Sequence, residues 1–179
     1  MTTKRKYWSD ALKQYNPCAD ALAWARTQPS AAVAWRDCTR GDWMLWLVGQ
    51  LSGPPESASR KALVLAACAC ARLALPHVPA SEERPRIAIE TAEQWARGEN
   101  GVMLDNVKRG AAYAAYAAAC AAYAAYAADA AAYAADVAYA AAHAAYVGGG
   151  IGDDYTRKRT LSQVADIIRK HYPKPPRLA

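Results

Sequence analysis

The chain has 179 residues, with six tryptophans, eleven tyrosines, no phenylalanine and a net charge of +6. That length suits a single domain with a real hydrophobic core, and no apolar run approaches the roughly 18 residues of a membrane helix apart from an alanine-rich stretch that Asp and His interrupt. The N-terminal MTTKRKYWSD is basic with no apolar run behind it, so no secretory signal is read, and five scattered cysteines (Cys18, Cys38, Cys68, Cys70, Cys120) suit small core residues in a reducing, cytoplasmic setting better than a disulfide framework.

In chain order, residues 1–16 carry a net +3 from Lys4, Arg5, Lys6 and Lys13 against Asp10. Asn16-Pro17 reads as an N-cap and a proline at the first helical position, opening a helix to about Arg26. Pro29-Ser30 introduces a second helix from Ala31 to about Thr39, which Gly41 breaks. Asp42 then caps WMLWLVGQL, where Trp43, Trp46 and Leu47 share one face as core. Arg40-Gly41-Asp42 falls at the corner between these helices, where an adhesion reading would be a false positive. Ser52-Gly53-Pro54-Pro55 is a firm boundary. From about Glu56 an apolar helix runs to Leu75, stopped by Pro76, with Cys68 and Cys70 on different faces. A lone C-x-C is a weak zinc signal, and no metal site is expected. The next helix starts near Arg84-Pro85 and ends at a Gly98 C-cap. Arg84 and Arg86 lie in its first turn, where free N–H groups and the helix dipole favour an anion. The plainer reading is surface arginines paired with Glu82, Glu83 or Glu90.

Asn100-Gly101 marks a turn, and a long helix is expected over 104–147. In 111–146, 24 of 36 positions are alanine and none is Gly, Pro, Ser or Thr, a composition with the best helix propensity available. Eleven of the other twelve positions, from Tyr113 to Tyr146, are spaced three or four apart with a mean of 3.3. That is shorter than a helical turn, so the stripe drifts round the helix. At about 1.5 Å per residue the helix would exceed roughly 50 Å, longer than a compact domain of this size, so it must protrude, bend, break or pair with another chain. Asp129, Asp136 and His143 lie seven apart and share a face, as a polar floor for a ligand or as a satisfied structural network; the network is the favoured reading. Gly148-Gly149-Gly150 ends the helix. A last helix over 153–172 places Leu161, Val164, Ala165 and Ile168 on one face, and the tail 173–179 is extended and proline-stiffened, suited to lying across a neighbouring surface. Residues 153–179 carry a net +4, so the excess charge is terminal.

The fold class expected is all-α: one domain over 1–179, a multi-helix bundle in which the helices of 17–98 and the C-terminal helix surround the long Ala/Tyr-rich helix. No catalytic constellation stands out. The histidines His77, His143 and His171 lie outside any metal-spacing motif, and Cys120 and His143, 23 residues apart on one helix, are separated by roughly 34 Å. No enzyme activity and no cofactor are expected.

The segments AWRDCTRGDWMLWL, LAACACARLALP, ERPRIAIETAEQWARGE, the Ala-Tyr helix and VADIIRKHYPKPP together make the chain resemble a group of alanine-rich helical proteins of phages and bacteria, some of which are labelled immunity proteins. The resemblance covers most of the chain and brings no catalytic residues with it. The leading expectation is a non-enzymatic binding protein, a phage anti-defence protein that sequesters an anionic, nucleotide-type immune signal. Its contacts would be Trp43, Arg84, Arg86, Tyr113, Tyr116, Arg157 and Arg159, aromatics to stack on a base and cations for phosphate. The alternatives are an immunity-type protein that binds and blocks a protein toxin, and a structural protein that self-associates through the long helix. Neither a membrane nor a nucleic-acid partner is expected.

Overall fold

The computed structural model describes residues 7–77, 80–99, 101–110 and 154–178. Every regular element among them is helical. A 3-10 helix, Trp8–Tyr15, precedes α1 (Ala19–Thr27), α2 (Ala31–Asp37), α3 (Gly41–Leu51) and α4 (Ala58–Ala71). A 3-10 turn, Arg72–His77, then leads to α5 (Arg84–Arg97), residues 104–110 are helical, and α6 spans Asp154–His171. The chain is all-α, as its sequence implies. Residues 104–110, where the long helix is expected to begin, are helical; the rest of that expected helix, with Tyr113, Tyr116, Asp129, Asp136 and His143, lies outside the described residues.

Among the described residues α4 is the helix around which packing is organised. Its sequence has apolar side chains on more than one face, as a helix buried from two sides requires. Leu63, Ala67 and Cys70 join Trp35, Met44, Leu45, Val48, Val164, Ala165 and Ile168 in one core. Val64, Cys68 and Ala71 join Ile89, Ala92, Trp95 and Val107 in a second. Cys68 and Cys70 therefore do face different ways, one into each core. Burial pushes both thiols up to about 12, so they are protonated, inert space-fillers.

Capping explains most boundaries. The Ser30 and Ser57 hydroxyls accept from the N–H groups of Val33 at 3.3 Å and Arg60 at 3.2 Å, fixing the starts of α2 and α4. Gly98 closes α5 in the left-handed region at φ 72°, as expected of a C-cap. Three expectations are corrected. Asn16 does not open a helix: at φ 55° it ends the 3-10 helix Trp8–Tyr15, donating its N–H to Lys13 O at 3.1 Å, because asparagine tolerates the left-handed region as readily as it caps. Gly41 is not a breaker but the first residue of α3, whose N-cap is Arg40 and not Asp42. The α-helical part of α4 stops at Ala71, and the chain tightens into the 3-10 turn that contains Pro76.

Arg169 of α6 ties the end of α2 in place. Its guanidinium donates to Trp35 O at 3.2 Å and Cys38 O at 2.8 Å, and also to Asp166 at 2.7 Å. It thereby satisfies helix-terminal carbonyls with a cation, the favourable sign at that end.

Candidate binding cleft

Five of the six tryptophans gather at one place. Trp8, Trp24, Trp35, Trp43 and Trp46 line a cleft between the N-terminal 3-10 helix, α1, α2, α3 and the C-terminal residues Pro175, Pro176 and Leu178. The cleft contains about 610 Å³ of empty space, its mouth included, and its walls are almost wholly apolar.

Its geometry is set locally. The Trp8 indole N–H donates to Gln28 O at 2.8 Å, docking the 3-10 helix on the turn between α1 and α2. The Trp24 and Trp43 rings meet at 6.0 Å between centroids, tilted by 51°, the tilted aromatic packing that the ring quadrupoles favour. The Arg40 guanidinium lies 4.2 Å from the Trp43 centroid, a cation over the indole face. The same guanidinium is forked onto Asp42 at 2.9 and 2.5 Å, which fixes its plane. The Trp35 indole donates to Tyr172 O at 2.8 Å, anchoring the chain where α6 ends. From there residues 173–178 run without helix into the cleft. The tail thus lies across a neighbouring surface, as its prolines suggested, and that surface belongs to the chain itself.

Of the residues expected to form a ligand site, Trp43 is in this cleft. Arg84 and Arg86 are not, for they occupy the first turn of α5, which packs into the second core. Both are already engaged. Arg84 is forked onto Glu82, whose carboxylate also accepts from the Arg84 N–H at 3.0 Å. Arg86 reaches Glu90 at 3.0 Å and Glu83 at 3.0 Å. The plainer surface reading describes both. Arg157 falls in the first turn of α6, and Arg159 is exposed two residues on. Tyr113, Tyr116, Asp129, Asp136 and His143 lie outside the described residues. Trp8, Trp24, Trp35 and Trp46 were missed as a group. The available signal was the placement of five tryptophans before residue 47 together with a proline-rich tail, although nothing local states that the two meet.

Elsewhere, Arg72 donates to both oxygens of Glu93 at 2.9 Å, joining the end of α4 to α5. That contact holds the Glu93 carboxyl below its usual range. Among the described residues no group of three or more His, Cys, Asp or Glu side chains could hold a metal ion, and no helix is long and apolar enough to cross a membrane.

No curated protein and no solved structure matches the chain. A family does: residues 53–148, more than half of the chain, match it along α4, α5 and the residues between and beyond them, and the chain belongs to the family described as Imm-5 like putative immunity protein.

Proposed function

We propose that this is a non-enzymatic, immunity-type binding protein that neutralises a protein toxin by covering a surface the toxin needs. The observation that carries the reading is the family match over residues 53–148. Inhibition by coverage asks only for a complementary, well-packed face and no reacting group of its own, which suits a helical scaffold whose buried thiols are held protonated.

Sequestration of an anionic nucleotide by an anti-defence protein draws less support. The arginines it relied on at the start of α5 have their charge compensated by Glu82, Glu83 and Glu90, and one face of Trp43 is taken by Arg40. A phosphate would have to displace carboxylates already in place.

The test is protection. Each candidate toxin gene found beside this one is induced in a bacterial host with and without this chain, and the two proteins are then co-purified. Growth restored by the chain, with a stoichiometric complex, is the expected result. Thermal shifts against cyclic and ADP-ribose nucleotides form the second arm. A ligand at about a hundred times its Kd stabilises by about 2.7 kcal/mol, so a shift of several degrees with a nucleotide, and no protection, would overturn the toxin reading.

A further inference from the structure

We propose that the tryptophan cleft is a binding site for an extended, proline-rich peptide segment of a protein partner, and that Pro175, Pro176 and Leu178, which form one wall of the cleft in the free chain, cover part of that site as an intramolecular competitor. The inference rests on the reading above only in taking the partner to be a protein. The cleft is built from residues 8–47 and 175–178, wholly outside the family match at 53–148.

What packs against the tryptophans is shown by the wall that the chain itself supplies. Pro173, Pro175 and Pro176 fix their own φ, and a residue preceding proline is held extended, so Tyr172 and Lys174 are restricted as well. Such a segment approaches the left-handed helix of three residues per turn, in which residues three apart share a face. In that register Pro175 and Leu178 form one face, Pro173 and Pro176 a second, and Lys174 and Arg177 the third. Beyond the bend at 173–174 burial follows the register: Pro175, Pro176 and Leu178 are partly buried and line the cleft, whereas Lys174 and Arg177 are exposed, as is Pro173 before the strap reaches the cleft. Two faces turned into an aromatic groove and one turned out is the way proline-rich ligands seat, because the stiff backbone has little conformational freedom left to lose.

The cleft also has capacity to spare. Trp8, Trp24, Trp43 and Trp46 remain partly exposed around it, whereas Trp35 and Trp95, the other two, are buried at 6% and 4%. The strap is anchored just before it enters. Tyr172 donates its N–H to Ile168 O at 2.7 Å and accepts from Trp35 at 2.8 Å. Beyond that point its prolines have no N–H to donate, so residues 173–178 can be exchanged for a similar segment without breaking either bond.

The test uses a chain ending at Tyr172, which keeps both anchoring hydrogen bonds, and a synthetic peptide of residues 172–178 as the probe. Binding is read from the indole N–H resonances and from tryptophan fluorescence. The shortened chain is expected to bind the peptide saturably, and a peptide with Pro175→Ala and Pro176→Ala much more weakly. With a peptide affinity of about 100 μM and an intramolecular effective concentration on the order of 1 mM, the intact chain should bind about tenfold more weakly than the shortened one. No perturbation of the folded, shortened chain by millimolar peptide overturns the proposal, as does equal binding by the shortened and intact chains. If shortening abolishes folding, the full-length Leu178→Asp variant, which puts a charge into an apolar wall, replaces it and is judged by the same outcomes. Peptide binding without toxin protection would leave the cleft standing and remove the immunity reading; protection by a chain that ignores the peptide would do the reverse.

Discussion

Replacing Gly41 by alanine tests how closely α3 and α6 are packed. A Cβ at Gly41 would stand 2.4 Å from Val164 Cγ1, 2.5 Å from Ala165 N and 2.6 Å from Val164 Cβ, where ordinary carbon contacts are about 3.5–4.0 Å. Gly41 is not among the residues with positive φ, so it is the neighbouring helix, not the backbone angle, that excludes a side chain. One of the three atoms is backbone and another is a Cβ, so neither can swing aside. Admitting the methyl group requires α3 and α6 to part by about 1 Å. A gap of that size forfeits roughly a quarter to a half of each contact's well depth across the core that Met44, Leu45 and Val48 share with Val164, Ala165 and Ile168. Overpacking costs about 1–3 kcal/mol in general, and the immobile neighbours place this case near the top, at about 3 kcal/mol. Alanine's better helix propensity returns less than about 1 kcal/mol. Gly49, in the interior of the same helix, is the control. Its Cβ would meet only Leu63 Cδ2, at 4.0 Å, so Gly49→Ala should stabilise by about 0.5–1 kcal/mol. In urea unfolding followed by circular dichroism, with a slope of about 2 kcal/mol/M, Gly41→Ala should lower the midpoint by about 1 M or more and Gly49→Ala should raise it by about 0.3–0.5 M. Midpoints that move together, or a Gly41→Ala midpoint close to the parent's, would refute the close-approach argument.

Two further outcomes follow from the ionisable groups. Glu93 is held below its usual carboxylate range, first by its hydrogen bond with Arg72, so it contributes stability above the unfolded value of 4.5 and loses it as pH falls through the folded value. Since Arg72 is 43% exposed, the effect is reduced by solvent, and Glu93→Gln should cost about 1 kcal/mol at neutral pH. The gap between the variant and parent urea midpoints should narrow as pH is lowered from 7 to below 4.5; a gap that stays constant over that range would count against the ion pair. The thiols of Cys68 and Cys70, raised to about 12, should resist an alkylating reagent at pH 8, where their thiolate fraction is about a thousandfold below that of an ordinary cysteine. Exposed Cys18 should react before either of them, as read by peptide mass mapping, and early modification of Cys68 in the native chain would contradict the two-core description of α4.

How far each feature could be read from the residues depended on whether its cause was local. Ser57 and Gly98 act within one turn of themselves, so the start of α4 and the end of α5 were visible to within a residue or two. Asn16 and Gly41 carry local signals that admit two meanings, and contacts elsewhere in the fold select between them: Gly41 is there because Val164 and Ala165, more than 120 residues later, lie against it. The charges of Arg84 and Arg86 were equally ambiguous, since the same first turn that attracts an anion also brings Glu82, Glu83 and Glu90 within reach. The cleft is the extreme case. Trp43, Trp46 and Leu47 do share a helix face, and that periodicity correctly marks them as apolar. It does not say whether the face is covered by another helix or by a strap of prolines, because the covering segment arrives from the far end of the chain. A tryptophan face met by a helix is sealed permanently; one met by residues 173–178, whose prolines hold no backbone hydrogen-bond ladder, can be uncovered. That difference in the covering element, and not any property of the tryptophans themselves, is what separates a core from a binding site here.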